Sequence, residues 1–242
     1  MTPWSVQQGA VLGKRPLVRA AVFVGALAVV FAMAVLSVPA ANAEGAAVGT
    51  DVQAAATVAS ESVDAEQQRS MGFIGCSMAE NVAQGYVAIG GTRMWGPYGT
   101  GGAVVQSWTD PNSSSWQRFD QQAAQHGTPS AVWIQICIFG QAGATYQEVQ
   151  QLIANTRLHT SEDVTIYITG QPLYDPGRVC FLAGQGGPEL TDGLAQQAAA
   201  DVSQNVTYSG TFHLAGNEVA DGCHANAAGQ RSLGQQALDY WG

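Results

Sequence analysis

Positive charge is scarce in this sequence, and lysine is almost absent. The 242 residues include 9 Lys and Arg side chains against 18 Asp and Glu, which gives a formal net charge of -9. Lys14 is the single lysine of the chain. Proteins that bind nucleic acids need clustered basic residues to neutralise the phosphate backbone. The composition therefore argues against a nucleic-acid partner.

The patterns that indicate a metal or a nucleotide are also missing. No cluster of His, Cys and Asp has the spacing of a metal site, so we predict neither a metal nor another cofactor. Two glycine-rich segments, 98–102 and 184–189, lack the Gly-Lys-Ser/Thr ending of a phosphate-binding loop. We therefore expect the function to depend on the chemistry of the side chains themselves.

A long apolar run, residues 20–36, lies near the N-terminus. Three basic residues precede it: Lys14, Arg15 and Arg19. Small residues follow and end in Ala-Asn-Ala at 41–43. This order is typical of a secretory signal peptide, so we predict that residues 1–43 are removed and that the protein is secreted. The alternative is an uncleaved anchor, which would be the protein's only contact with a membrane.

The rest of the chain divides by composition into two parts. Residues 44–70 are rich in Ala, Ser, Glu and Gln and contain no aromatic residue, which predicts a flexible stalk. A short Ala-rich helix is the alternative for this part. Residues 71–242 are enough for one domain with a sizeable core.

Apolar segments alternate with amphipathic segments through residues 71–242. Strands are predicted within 71–77, 92–95, 130–139, 163–170 and 206–214, and helices within 79–89, 113–127, 144–158, 190–202 and 226–240. Such alternation indicates an α/β domain with a mainly parallel sheet. In these sheets, functional residues gather in the loops at the carboxyl ends of the strands.

Ser77 follows the first predicted strand, and Asp221 and His224 precede the last predicted helix. A serine hydroxyl becomes a good nucleophile when a histidine accepts its proton and a carboxylate orients that histidine. We therefore predict that Ser77 is a nucleophile, His224 its base and Asp221 the partner of the base.

A structural interpretation of the same residues is also open. Ser77 could lie in a simple turn, and Asp221 could cap the last helix with His224 exposed beside it. The remaining histidines lie at helix ends or in polar segments and are expected at the surface: His126, His159 and His213.

The two motifs together resemble the SGNH (GDSL-type) hydrolase family. In that family a Gly-Asp-Ser motif follows the first strand, and an Asp-x-x-His motif precedes the last helix. Here Phe-Ile-Gly-Cys-Ser at 73–77 and Asp-Gly-Cys-His at 221–224 occupy these places, with Cys76 where the family usually has Asp. The resemblance implies a flavodoxin-like three-layer α/β/α sandwich and a secreted serine esterase. The implied substrate is a small-molecule or carbohydrate ester.

The resemblance also implies an oxyanion hole built from three hydrogen-bond donors. These are the Ser77 N–H, a glycine N–H from Gly101 or Gly102, and an asparagine side chain from a Gly-x-Asn-Asp motif after the third strand. That motif is missing here. Gln141 is the nearest amide and is expected to replace it, with Gln135 as the alternative.

The missing asparagine keeps a second function open. The loss of one oxyanion donor typically lowers the rate by about 10²–10³. The second hypothesis is therefore a non-catalytic protein of the same fold that binds a cell-surface glycan or an acyl group. Three aromatic residues surround the glycine-rich loop and suit sugar stacking, acyl chains or the core: Trp95, Tyr98 and Trp108.

Four cysteines fall within the predicted domain, and export favours disulfides. They allow three pairings. Contact between Ser77 and His224 would bring Cys76 close to Cys223. Cys137 and Cys180 follow strands that should be adjacent, so we expect the pairs Cys76–Cys223 and Cys137–Cys180. One objection is that neighbouring residues of a strand point to opposite faces, which would turn Cys76 away from Cys223. The alternative is four reduced, buried cysteines.

Overall fold

A computed structural model describes residues 69–242, so the predicted signal peptide and residues 44–68 of the predicted stalk lie outside the described residues. The strands of the described part are β1 (Met71–Ile74), β2 (Ala131–Gln135), β3 (Thr165–Thr169), β4 (Leu173–Tyr174), β5 (Thr207–Tyr208) and β6 (His213–Leu214). The main sheet has the strand order β1-β2-β3-β5, and all its strands are parallel. A separate two-stranded sheet pairs β4 with β6, also in parallel.

The helices begin where the sequence supplies capping side chains. The Ser113 hydroxyl accepts a hydrogen bond from the Trp116 N–H, Thr145 forms a capping box with Glu148, and the Asn226 side chain accepts two backbone N–H groups. Within residues 69–242 the α-helices are α1 (Ser77–Ala88), α2 (Ser114–His126), α3 (Tyr146–Leu158), α4 (Gly187–Ala200) and α5 (Ala227–Trp241).

The alternation of side chains along the strands produces the three layers. Phe73, Trp133 and Tyr167 are register partners on one face of the sheet, where Trp241 of α5 packs against the last two. Gly72 lies on the opposite face, where Phe119 of α2 covers it. Helices therefore cover both faces, and the predicted α/β fold with a mainly parallel sheet is confirmed.

Two glycines allow α1 and α5 to touch through their backbones. A Cβ atom on Gly85 would lie 1.7 Å from the carbonyl oxygen of Gln230, and one on Gly234 would lie 2.3 Å from the carbonyl carbon of Gly85. Because the two helices run in the same direction, their N-terminal ends lie side by side. This packing brings Ser77 at the start of α1 near the residues that precede α5.

Two predicted strands differ from the observed ones. Segment 92–95 contributes only a single bridge between Met94 and Met71 to the edge of the sheet. Segment 206–214 divides into β5 and β6, which belong to different sheets, because the chain turns at Gly210 with φ of 97°. No helix within residues 69–242 combines the length and the apolar character needed to cross a bilayer.

Candidate active site

Ser77 is the first residue of α1, directly beyond the carboxyl end of β1. Cys76 is the N-cap residue in an extended conformation, and its side chain forms a disulfide rather than a helix-capping hydrogen bond. The first N–H groups of a helix have no partner inside the helix and carry its partial positive charge. The Ser77 backbone and hydroxyl therefore lie where an anion is stabilised.

Ser77, His224 and Asp221 form a continuous chain of hydrogen bonds. The Ser77 Oγ and His224 Nε2 atoms are 2.8 Å apart, and the His224 Nδ1 and Asp221 Oδ2 atoms are 2.7 Å apart. Because a carboxylate only accepts hydrogen bonds, Nδ1 carries the proton in this arrangement. In the neutral imidazole, Nε2 then directs its lone pair towards the Ser77 hydroxyl.

Asp221 also accepts backbone hydrogen bonds within its own turn. Its Oδ1 atom receives the His224 N–H at 2.8 Å and the Cys223 N–H at 3.0 Å. The side-chain hydrogen bond from His224, followed by that residue's backbone N–H, lowers the pKa of Asp221 to about 2. The three-residue spacing is thus sufficient for Asp221 to hold His224 and to remain ionised.

Two side chains from other elements hold the peptide groups on either side of His224. The Ala225 N–H donates to Asn81 Oδ1 at 2.9 Å, and Asn81 lies one turn after Ser77 on α1. The Tyr174 hydroxyl donates to the Cys223 carbonyl oxygen. Burial, with a smaller contribution from the negative charge of Asp221, raises the pKa of the Tyr174 phenol, which therefore stays a donor.

The predicted cysteine pairings are wrong. The disulfides are Cys76–Cys137, with Cα atoms 6.0 Å apart, and Cys180–Cys223, with Cα atoms 4.2 Å apart. β1 and β2 are adjacent and in register, so Cys76 and Cys137 meet just beyond the ends of their strands. Cys180 lies in a long loop that folds over the 221–224 turn. Cys76 of the first disulfide is therefore the residue before Ser77, and Cys223 of the second is the residue before His224.

The glycine-rich loop, residues 98–102, is held next to Ser77 by hydrogen bonds to Glu80 and to Cys76. Glu80 of α1 accepts the Gly99 and Thr100 N–H groups, and the Thr100 hydroxyl donates to the Cys76 carbonyl oxygen at 3.1 Å. Of the two predicted glycines, Gly102 lines the cavity beside Ser77. Gly101 lies in the neighbouring open, polar pocket.

The cavity beside Ser77 is small, with a volume of about 20 Å³, and mainly apolar. Gln141 is exposed and lines a different pocket, together with Phe139 and Phe181. Gln135, the last residue of β2, is buried. The structure therefore brings neither predicted amide into the cavity. Its lining residues are Cys76, Ser77, Met78, Gly102, Val104, Ile138, Phe139, Gln171, Leu182 and Cys223.

Gln171 is the polar residue of this cavity that sequence reasoning missed. It follows β3, at the sheet edge where functional residues gather. This position is a usable signal, whereas the resemblance implies an amide in the segment after β2.

Two of the predicted aromatic residues and one of the remaining histidines have structural roles. Trp95 and Trp108 are fully buried and belong to the core, so they offer no surface for a substrate. The predicted exposure of His159 is wrong, because its side chain is only 14% exposed. It pairs with Asp120 and stacks on Trp116. No group of three His, Cys, Asp or Glu residues within 69–242 is arranged to hold a metal.

Neither the protein families nor the curated proteins searched contain a match to this chain. Among solved structures, the chain is similar to a protein from Slackia heliotrinireducens that is proposed to be an SGNH hydrolase. The TM-score is 0.50 at 18% sequence identity, and the match covers 71% of this chain and 98% of that one. The likeness shows a shared fold.

Proposed function

We propose that this protein is a serine acyl hydrolase of the SGNH type. The observation that carries the proposal is the hydrogen-bonded chain from Asp221 through His224 to Ser77. The similar fold of a proposed SGNH hydrolase supports the same reaction class. The reaction is the hydrolysis of an ester to an acid and an alcohol.

In the proposed mechanism, His224 Nε2 accepts the hydroxyl proton as Ser77 Oγ attacks the ester carbonyl carbon. Asp221, ionised at neutral pH, keeps its hydrogen bond to Nδ1 and stabilises the imidazolium. The tetrahedral intermediate collapses when its C–O bond to the alcohol breaks, and the alcohol leaves with the proton from His224. Water, deprotonated by His224, then attacks the carbonyl carbon of the acyl-serine. The C–Oγ bond breaks, His224 returns the proton to Ser77 Oγ, and the acid is released.

The negative oxygen of the intermediate needs hydrogen-bond donors close to Ser77. The Ser77 N–H belongs to the first turn of α1, and Gly102 lines the same cavity. Backbone donors fixed in advance are effective because they do not have to reorganise during the reaction. We propose that these two N–H groups donate hydrogen bonds to the negatively charged oxygen.

The cavity suits a short acyl group. A volume of about 20 Å³ is close to the minimum that holds one water molecule, about 10–15 Å³. We propose acetyl as the acyl group. The alcohol would occupy the open pocket beyond Gly102, which has a volume of about 310 Å³ and includes Ser107, Ser113 and Arg118 in its lining. Hydroxyl groups and a guanidinium favour a polar alcohol such as a carbohydrate.

Secretion forms part of the proposal. The two disulfides fit a protein that matures in an oxidising compartment. The predicted signal peptide supports the same location. Recovery of the protein from the medium with Glu44 as its first residue would support this location, whereas retention with residues 1–43 attached would contradict it.

A fluorophosphonate probe, which reacts with activated serines, tests the proposed reaction. We expect labelling at Ser77 and hydrolysis of p-nitrophenyl acetate, and both should disappear in Ser77→Ala. Ser161→Ala is the matched control, because Ser161 is exposed and lies outside the site. A folded protein that neither reacts with the probe nor hydrolyses the ester would favour the non-catalytic binding protein instead.

A further inference from the structure

Gln171 is held rigidly beside Ser77 by its neighbours. Its side chain is only 3% exposed, and its backbone N–H donates to the buried Thr191 hydroxyl at 2.9 Å. The preceding residue, Gly170, packs so closely on α4 that a Cβ atom there would lie 2.4 Å from the Asp192 nitrogen. The backbone of this segment is thus fixed against α4, and Gln171 lines the same cavity as Ser77.

The orientation of the Gln171 amide follows from one hydrogen bond. The Ile138 backbone N–H points to Gln171 Oε1 at 3.2 Å. Because that N–H can only donate, the side-chain atom facing it must be the oxygen. The NH₂ group is therefore the other branch of the amide. Within residues 69–242 this NH₂ group makes no hydrogen bond.

We propose that the Gln171 NH₂ group is the third donor of the oxyanion hole. This assignment rests on the proposed hydrolase function and adds to it a catalytic residue. The donor comes from the segment after β3, one strand further along the sheet than the segment in which Gln141 was expected. The hydrogen bond from Ile138 orients the amide before substrate binds, which is the condition for effective oxyanion stabilisation.

The other two glutamines fit this role less well. Gln141 is exposed, so its amide is solvated and free to rotate, and its pocket is a different one. Gln135 has an Nε2 atom without a partner in the described part of the chain, but Gln135 is not among the residues that line the cavity. Gln171 alone of the three combines a fixed amide with a position in the Ser77 cavity.

Gln171→Glu is the sharpest test. The carboxylate retains an oxygen for the Ile138 N–H but replaces the NH₂ donor with a second oxygen. We expect kcat for p-nitrophenyl acetate to fall by about 10²–10³ with little change in KM, since the lost hydrogen bond strengthens only in the transition state. Gln141→Glu, the matched control, should keep the wild-type kcat. An unchanged thermal midpoint would show that Gln171→Glu remains folded.

A second measurement does not depend on turnover. After Ser77 reacts with a dialkyl fluorophosphate, the phosphoryl oxygen occupies the oxyanion position. The side-chain ¹⁵N and ¹H resonances of Gln171 should then shift, and those of Gln141 should not.

The outcomes separate the two proposals. Wild-type rates in Gln171→Glu, with Ser77→Ala inactive, would overturn the role of Gln171 and leave the hydrolase function intact. The absence of both turnover and Ser77 labelling in the wild-type protein would overturn both.

Discussion

The described part of the chain, residues 69–242, contains two histidine–aspartate pairs with nearly the same geometry and different consequences. In each pair Nδ1 contacts a carboxylate oxygen, at 2.7 Å for His224–Asp221 and at 2.9 Å for His159–Asp120. The difference lies at the second ring nitrogen. His224 Nε2 meets the Ser77 hydroxyl at 2.8 Å, whereas His159 Nε2 meets the Pro111 carbonyl oxygen at 3.0 Å.

The partner of the second nitrogen decides what each histidine can do. A hydroxyl can donate, so His224 can keep a lone pair and accept the serine proton. A carbonyl oxygen only accepts, so the contact at His159 Nε2 offers no proton for that nitrogen to take up. His159 also stacks on the buried Trp116, with ring centroids 4.4 Å apart. The pairing with aspartate alone therefore does not identify a catalytic histidine.

The largest expected effect separates the two histidines. His224→Ala should lower kcat for ester hydrolysis by about 10⁶, because the serine loses its only base. His159→Ala should keep kcat and instead lower the free energy of unfolding by roughly 0.5–3 kcal/mol, since it removes a stacked ring. Steady-state kinetics and urea unfolding measure the two quantities. A similar loss of kcat in both variants would contradict the comparison.

The two aspartates should differ in the same way. Asp221→Asn should lower kcat by about 10⁴, because the amide can present its NH₂ group to Nδ1 and favour the wrong tautomer. Asp120→Asn should leave kcat unchanged. Equal kcat values for Asp221→Asn and the wild-type enzyme would remove Asp221 from the mechanism.

The two histidines are also held in place by different contacts, since a disulfide lies next to His224 and His159 packs on Trp116. The double variant Cys180→Ser/Cys223→Ser opens the covalent link next to His224, and we expect a loss of about 2–4 kcal/mol in unfolding free energy. The imidazole resonances of His224 should broaden, and those of His159, held between α2 and α3, should remain sharp. Unchanged His224 resonances would show that Asn81 and Tyr174 suffice to hold the turn.

The smallest expected effect concerns acid stability. The pKa of Asp221 is depressed to about 2 from an unfolded value of about 3.9. The sign follows from linkage, because the hydrogen bonds of Asp221 stabilise the fold above about pH 4 and are lost as the pH falls towards 2. Asp221 is half exposed, so this contribution is small. Unfolding of Asp221→Ala and the wild-type protein between pH 2 and 5 measures it, and an equal difference at every pH would contradict it.

Periodic and local features of the sequence predicted most of the fold. The β-branched run at β2 and the capping residues Thr145 and Asn226 act within a few residues of chain, so their effects can be anticipated without tertiary structure. The proximity of Asp221 to His224 is local in the same sense. The contact of His224 with Ser77, 147 residues away, was predicted from the positions of both residues in loops beyond strands, and the resemblance of the paired motifs supported it.

Features that depend on how loops fold over the sheet could not be predicted. Cys180 lies in a loop without periodicity, so nothing in the sequence indicates that it reaches Cys223 rather than Cys137. Gln171 is a single amide after a strand, and its role depends on the distant Ile138 N–H. His159 was expected at the surface because it lies at a helix end. Its partners Asp120 and Trp116 belong to another helix, so the contact is not visible in the local sequence.

The backbone contact between Gly85 of α1 and Gly234 of α5 has a consequence for the stage of synthesis at which the candidate site can form. Ser77 lies on the first helix of the domain, and the turn that carries His224 is positioned by the last one. A nascent chain that has been synthesised as far as β3 contains Ser77 and most of the main sheet. It still lacks His224 and α5, the helix that positions the His224 turn. The candidate site is therefore assembled only after α5 has been synthesised and has packed against α1, so an incomplete chain would lack the proposed activity.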